Sequence, residues 1–239
     1  MPITPSRRLS GLVQSDIRAM TRACDRVGGI NLGQGLCDLP TPELVAEGAI
    51  RAIREGRSVY SYPEGVRELR EAIAGKLDRE YGMQADPDSE IVVTTGSSGA
   101  FASTIHALLD PGDGILLLEP FYGYHLNAAL VAGLEPQFLA LEPPGFRLDE
   151  PALRGAIDGK TRAVVLCTPS NPCGRMFGDD ELAVVERVAN EHDLLVLTDE
   201  VYEYVRFDGR RHVPPASFGT LGSRSVTMSS LSKTCLLYT

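Results

Sequence analysis

No run of about 18 apolar residues occurs in this 239-residue sequence, so nothing in it reads as a membrane span. The opening stretch, Met1-Pro2-Ile3-Thr4-Pro5-Ser6-Arg7-Arg8, lacks the apolar core of a secretion signal. A basic excess is missing too: the formal net charge of -9 disfavours a nucleic-acid phosphate backbone as partner. The five cysteines, Cys24, Cys37, Cys167, Cys173 and Cys235, contain no Cys-x-x-Cys spacing, so reduced thiols are expected and a metal site is not. Neither Gly-x-Gly-x-x-Gly nor Gly-x-x-x-x-Gly-Lys occurs, which sets aside the familiar dinucleotide and nucleoside-triphosphate loops. Internal repeats and low-complexity tracts are also absent. With 43% hydrophobic and 23% charged residues, what is left is an ordinary soluble globular chain, expected to be cytoplasmic and long enough for one large domain.

Apolar, β-prone runs are present at 91–95, 114–118, 135–141, 163–168, 194–198 and 225–228, with helical patterns between most neighbours. That alternation predicts an α/β architecture: three layers, a mostly parallel sheet with helices on both faces. Thr41-Pro42-Glu43 reads as a cap, a proline and a first-turn acid opening a helix that runs to Gly56. Residues 64–80 place Val66, Leu69, Ile73 and Leu77 at helical spacing, closed by Gly82, and 180–191 does the same with Leu182, Val185 and Val188. One further helix is expected over 10–27. Residues 1–85 hold no convincing strand and are expected to form an N-terminal arm and helical lead-in, with the sheet domain over 86–234.

Several candidate chemical groups directly follow apolar runs. Thr95-Gly96-Ser97-Ser98-Gly99-Ala100 opens a helix, where free N–H groups and the helix dipole favour a phosphate; an ordinary strand-to-helix turn is the bland alternative. Ser170-Asn171-Pro172-Cys173-Gly174 reads as a turn or a ligand loop, and its Cys173 as a small filler residue. Thr198-Asp199-Glu200-Val201-Tyr202 reads as a helix start with a core aromatic or as an acid and a phenol at a site. Met228-Ser229-Ser230-Leu231-Ser232-Lys233-Thr234 offers a lysine that is either a solvated charge or a nucleophile. In an open parallel sheet ligands collect beyond the carboxyl ends of the strands, which places all of these groups around one crevice.

On these residues the chain resembles the class I/II aminotransferases, pyridoxal-phosphate enzymes of fold type I. The resemblance spans 30–234 and rests also on Asn31-Leu32-Gly33-Gln34-Gly35, Asp38-Leu39-Pro40-Thr41-Pro42, Tyr60 with Gly65 and Glu68-Leu69-Arg70-Glu71-Ala72-Ile73, and Glu119-Pro120-Phe121-Tyr122. It implies pyridoxal 5'-phosphate as cofactor and transfer of an amino group from an amino acid to a 2-oxo acid. Lys233 would bind the cofactor aldehyde and later move the substrate proton, and Asp199 would keep the pyridine nitrogen protonated. Asn171 and Tyr202 would donate to the phenolic oxygen and Tyr122 would stack on the ring. Ser97, Ser98 and Ser230 would hold the phosphate, and Tyr60 would reach the phosphate of a partner subunit in a homodimer. Gly35, with Asn171, would flank the substrate carboxylate. Carbon–sulfur lyases and synthases of the same fold use the same residues and stand as an alternative. A non-catalytic cofactor-sensing module is a second alternative, although 1–30 has room for only one helix and not for a DNA-binding helix-turn-helix.

The resemblance also implies a C-terminally truncated chain. Relatives continue past the lysine with a further strand, expected between 91–95 and 225–228, and with two arginines, one for the cofactor phosphate and one for the substrate carboxylate. Lacking both, the fragment is expected to be inactive. The five residues Cys235-Leu236-Leu237-Tyr238-Thr239 are what TGT-CTC-TTA-TAC-ACA encodes, a string within the mosaic-end adapter of transposase-based sequencing libraries, so a non-native tail is expected. A genomic contig encoding these residues followed by a stop codon would contradict that expectation.

Overall fold

The computed structural model describes residues 4–9, 11–12, 16–33 and 39–237. Five strands, β1 (Gly114–Glu119), β2 (Glu135–Ala140), β3 (Thr161–Cys167), β4 (Leu195–Asp199) and β5 (Ser225–Met228), form one sheet in the order β2-β1-β3-β4-β5. All four pairings are parallel. The helices are α1 (Asp16–Arg26), α2 (Glu43–Arg54), α3 (Arg67–Tyr81), α4 (Gly96–Leu108), α5 (Gly123–Ala132), α6 (Glu150–Gly155), α7 (Asp179–Glu191) and α8 (Leu231–Thr234).

The apolar runs become central strands because both of their faces are covered. Side chains alternate across a strand, so Leu116, Leu118, Val164, Leu166 and Val196 enter one core while Ile115, Leu117, Ala163, Val165 and Leu197 enter the other. The first core is completed by Leu153 of α6 and by Leu182, Val185 and Val188 of α7, the three residues whose spacing predicted that helix. The second is completed by Phe101 and Ile105 of α4 and by Ala129 and Ala132 of α5. The three-layer parallel architecture expected from the sequence is therefore present. Sheet order reverses between β1 and β3, which opens a crevice at their carboxyl ends.

Three expectations need correction. Residues 91–95 do not form a strand: the Val93 N–H donates to the Glu64 carbonyl at 2.9 Å, and Val92 lies largely in solvent. A strand exists only where a ladder partner lies alongside, and among the described residues β5 is the last strand of the sheet, with none beyond it to reach 91–95. Thr41 does not cap α2. Pro42 occupies the cap position without a side-chain bond, and Thr41 Oγ1 donates to the Leu236 carbonyl instead, at 3.2 Å. The helix expected over 64–80 begins at Arg67, because Gly65 has φ +97° and lies against Val93, where a Cβ would come within 2.6 Å of the valine Cβ. Its far end matches expectation, with Gly82 at φ 66° closing α3. The helix expected over 10–27 is observed as α1 from Asp16; Ser10 lies outside the described residues.

Candidate functional site

Asp199 ends β4 opposite Cys167 of β3, and only 5% of its surface is exposed. A buried carboxylate is stable only where its oxygens find donors. Here His125 Nε2 lies 3.1 Å from Oδ2 and the Val201 N–H donates to Oδ1 at 3.4 Å, while the Asp199 carbonyl accepts from the Thr168 N–H at 3.0 Å. An ionised carboxylate can only accept, so Nε2–H is the donor. His125 is itself buried, with its ring 4.6 Å from that of Phe101 and edge-on to Tyr122 at 5.5 Å. Sequence reasoning missed this histidine. The one local signal is its position three residues after Tyr122, which brings both onto the first turn of α5.

Tyr122 precedes α5 at its cap position, keeps 37% of its surface exposed, and has the Tyr124 ring tilted beside it at 6.2 Å. Asn171 is joined to Asp199 through Cys167: its backbone N–H donates to Cys167 Sγ at 3.4 Å. Burial, reinforced by the nearby Asp199 charge, pushes the Cys167 thiol up to about 12. It therefore stays protonated and acts as a packing group. The other free cysteines are Cys24, Cys173 and Cys235, in line with the expected reduced thiols, and Cys37 lies outside the described residues.

The loop carrying Asn171 is fastened at both ends. The Ser170 N–H donates to the Arg175 carbonyl and the Gly174 N–H to the Ser170 carbonyl, each at 2.8 Å. The Arg175 guanidinium, almost wholly buried, contacts Glu181 of α7 at 2.6 Å, donates to the Phe146 carbonyl at 2.5 Å and lies 4.1 Å over the Phe177 ring. Glu181 also accepts the N–H groups of Leu148, at 2.7 Å, and Gly178, at 3.1 Å. Cys173 donates to Ser170 Oγ at 3.2 Å and, with His125, Cys167 and Phe121, lines a cavity of about 20 Å³, room for about one water.

The candidate phosphate cup takes shape at the start of α4. Gly96 has φ +65° and its N–H donates to the Thr94 carbonyl at 2.8 Å, while the Gly99 N–H donates to the Thr95 carbonyl at 3.3 Å. Thr95 makes no side-chain capping bond, so the Ser97 and Ser98 N–H groups are the first-turn donors left to offer an external acceptor. Ser97 and Ser98 follow, both half-buried, with the Ser98 carbonyl accepting from the Tyr124 hydroxyl at 2.9 Å. A Cβ at Gly96 would sit 4.0 Å from Ser230 Oγ, so the hydroxyl after β5 and the start of α4 face the same small space. Ser230 caps α8, accepting from the Ser232 N–H at 3.2 Å.

Lys233 sits half-buried on α8, and Tyr202 half-buried three residues past the end of β4; their two strands are neighbours in the sheet. Tyr60 is not at this site. It is fully exposed on the lead-in segment. Gly35 lies outside the described residues, which also contain no cluster of metal-ligating side chains and no helix long and apolar enough to cross a membrane.

Comparison with known proteins places this arrangement. The sequence model for aminotransferase class I and II matches residues 27–239. Among curated relatives, methionine aminotransferase of Escherichia coli is 33% identical over 98% of this chain and 60% of its own length. Human kynurenine–oxoglutarate transaminase 1 is 31% identical over 96% of this chain and 57% of its own. Among solved structures, N-succinyldiaminopimelate aminotransferase from Mycobacterium tuberculosis superposes with a TM-score of 0.92 at 37% identity, covering 96% of this chain and 60% of that one. The chain thus spans little more than half the length of the curated relatives it matches.

Proposed function

We propose, for a chain that belongs to the class I and II aminotransferase family, that the protein transfers an amino group from an amino acid to a 2-oxo acid with pyridoxal 5'-phosphate as cofactor. The observation that carries this reading is Asp199, a buried carboxylate at a strand end, held by His125 beside a partly exposed tyrosine ring. The residues present fit that cofactor. Its ring nitrogen needs an oriented acid, its phenolic oxygen needs donors and its phosphate needs a cup of N–H and hydroxyl groups. Asp199, then Asn171 and Tyr202, then the Gly96 turn with Ser97, Ser98 and Ser230 are groups of those kinds.

When bound, pyridoxal phosphate supplies an electron sink for the charge left as the substrate loses its α-proton. The chain's own residues do the rest. Asp199 holds the proton on the ring nitrogen, and His125 keeps the carboxylate from turning away. Asn171 and Tyr202 donate to the phenolic oxygen, while Tyr122 covers one face of the ring. Lys233 would hold the cofactor through its amine and would serve as the group that takes up and returns the substrate α-proton. Gly35 and Asn171 flank the substrate carboxylate.

Transamination is favoured over carbon–sulfur lysis because the relatives described above carry aminotransferase or transaminase names. The protein is read as a homodimer in which Tyr60 serves the partner's phosphate. Supporting that reading, Tyr60 and the apolar side chains of Val27, Leu32 and Leu44 on the same N-terminal segment are highly exposed, a surface that suits burial against another subunit. Free cysteines support a reducing, cytoplasmic setting. The test is to titrate full-length protein with pyridoxal phosphate, follow cofactor absorbance and then add a panel of amino acids. The wild type is expected to show a protein-bound band that amino acids shift, and Lys233→Ala to lack it; an identical band in Lys233→Ala would contradict the assignment.

A further inference from the structure

Glu203 lies in the turn after β4, buried to all but 6% of its surface, and none of the roles above uses it. Its carboxylate collects donors from two distant parts of the chain. Lys76 of α3 forms an ion pair with Oε2, and the Tyr81 hydroxyl at the end of α3 donates to the same oxygen at 2.6 Å. The other oxygen, Oε1, accepts from Ser229 Oγ at 3.1 Å. Burial and the Glu203 charge hold the Tyr81 phenol well above its ordinary range, so it remains a donor. Lys76 is held in turn, 4.7 Å over the Tyr81 ring and 5.5 Å over that of Tyr204.

The Lys76 and Tyr81 contacts account for a stable buried carboxylate without Ser229. The Ser229 contact adds something different, because that residue is the first after β5, directly before Ser230 and four before Lys233. β5 is four residues long with no strand beyond it among the described residues, and α8 is a single turn. The geometry points to Glu203 as a positioning residue for cofactor binding: anchored on α3, it holds Ser229 and thereby sets Ser230 and Lys233 against Asp199 and Tyr202.

This rests on Lys233 and Ser230 being the cofactor's lysine and a phosphate ligand. In full-length protein titrated with pyridoxal 5'-phosphate, Ser229→Ala is expected to weaken binding by about three- to tenfold, the net worth of one ordinary hydrogen bond, because Ser229 acts only through its neighbours. The unfolding midpoint of the cofactor-free protein should stay unchanged, and Ser229→Thr, which keeps the hydroxyl, should restore affinity. Glu203→Ala should lose at least as much affinity, and adding Ser229→Ala to it should lose no more, because both remove the same bond. Should Glu203→Ala not fold, the two Ser229 variants decide the matter. Unchanged affinity in Ser229→Ala, or losses that multiply in the double variant, would overturn the inference. A wild type that binds no cofactor sinks the parent reading and this one with it; a normal wild type with a normal Ser229→Ala sinks this one alone.

Discussion

β4 runs between β3 and β5, so Asp199 is fixed by a ladder on each side, by His125 from α5 and by the core beneath. Lys233, on the single helical turn α8, follows β5, a strand of four residues that is the last of the sheet among the described residues. The two groups serve one proposed site from very different foundations. Among the described residues, the proposed ring-binding side sits inside the sheet, whereas the proposed lysine and phosphate side follows β5, beside which only β4 is paired. Buried polar groups on the first side are held by mutual satisfaction, as with Arg175 and Glu181 beneath the Asn171 loop. On the second, the Glu203–Ser229 contact is the comparable device, and it is a single bond.

The largest expected effect lies on the ring side. Arg175→Met would leave Glu181 as an uncompensated buried charge, at a cost of about 3–5 kcal/mol. Denaturant unfolding checks this; a loss no larger than that of a surface substitution would mean the loop is not held as described. Leu197 of β4 is fully buried, whereas Val226 of β5 is only partly so. Leu197→Ala is therefore expected to cost about 3 kcal/mol and Val226→Ala about 1 kcal/mol by urea midpoint. Equal losses would erase the contrast between β4 and β5. A further effect concerns pH. Cys167 keeps its proton up to about pH 12 when folded, against an ordinary value of 9.0, so the unfolded chain binds fewer protons between those values. Stability should then fall as pH rises through that window, and Cys167→Ala should reduce the slope. Site-resolved alkylation at pH 8.5 should label Cys167 more slowly than Cys24.

Sequence reading succeeded where a signal is local. The apolar runs at β1, β3 and β4 announce strands buried on both faces, and Leu182, Val185 and Val188 announce the inward face of α7. Asp199, Asn171 and Lys233 stand out as candidates because each lies in the short segment that follows such a run. Residues 91–95 misled for the same reason that the others informed: an apolar extended segment looks alike whether or not a partner strand lies beside it. His125 was illegible because its role comes from Asp199, 74 residues away, and a lone histidine in a helix carries no mark of that contact. Glu203 is bound by Lys76 and Tyr81, more than 120 residues earlier, so its neighbourhood exists only in the folded chain.

The most direct test of the account is to load full-length protein with pyridoxal 5'-phosphate, reduce it with borohydride and map the labelled peptide. The account predicts one stable pyridoxyl adduct, on Lys233, absent from Lys233→Ala. An adduct on another lysine, or none at all, would contradict it.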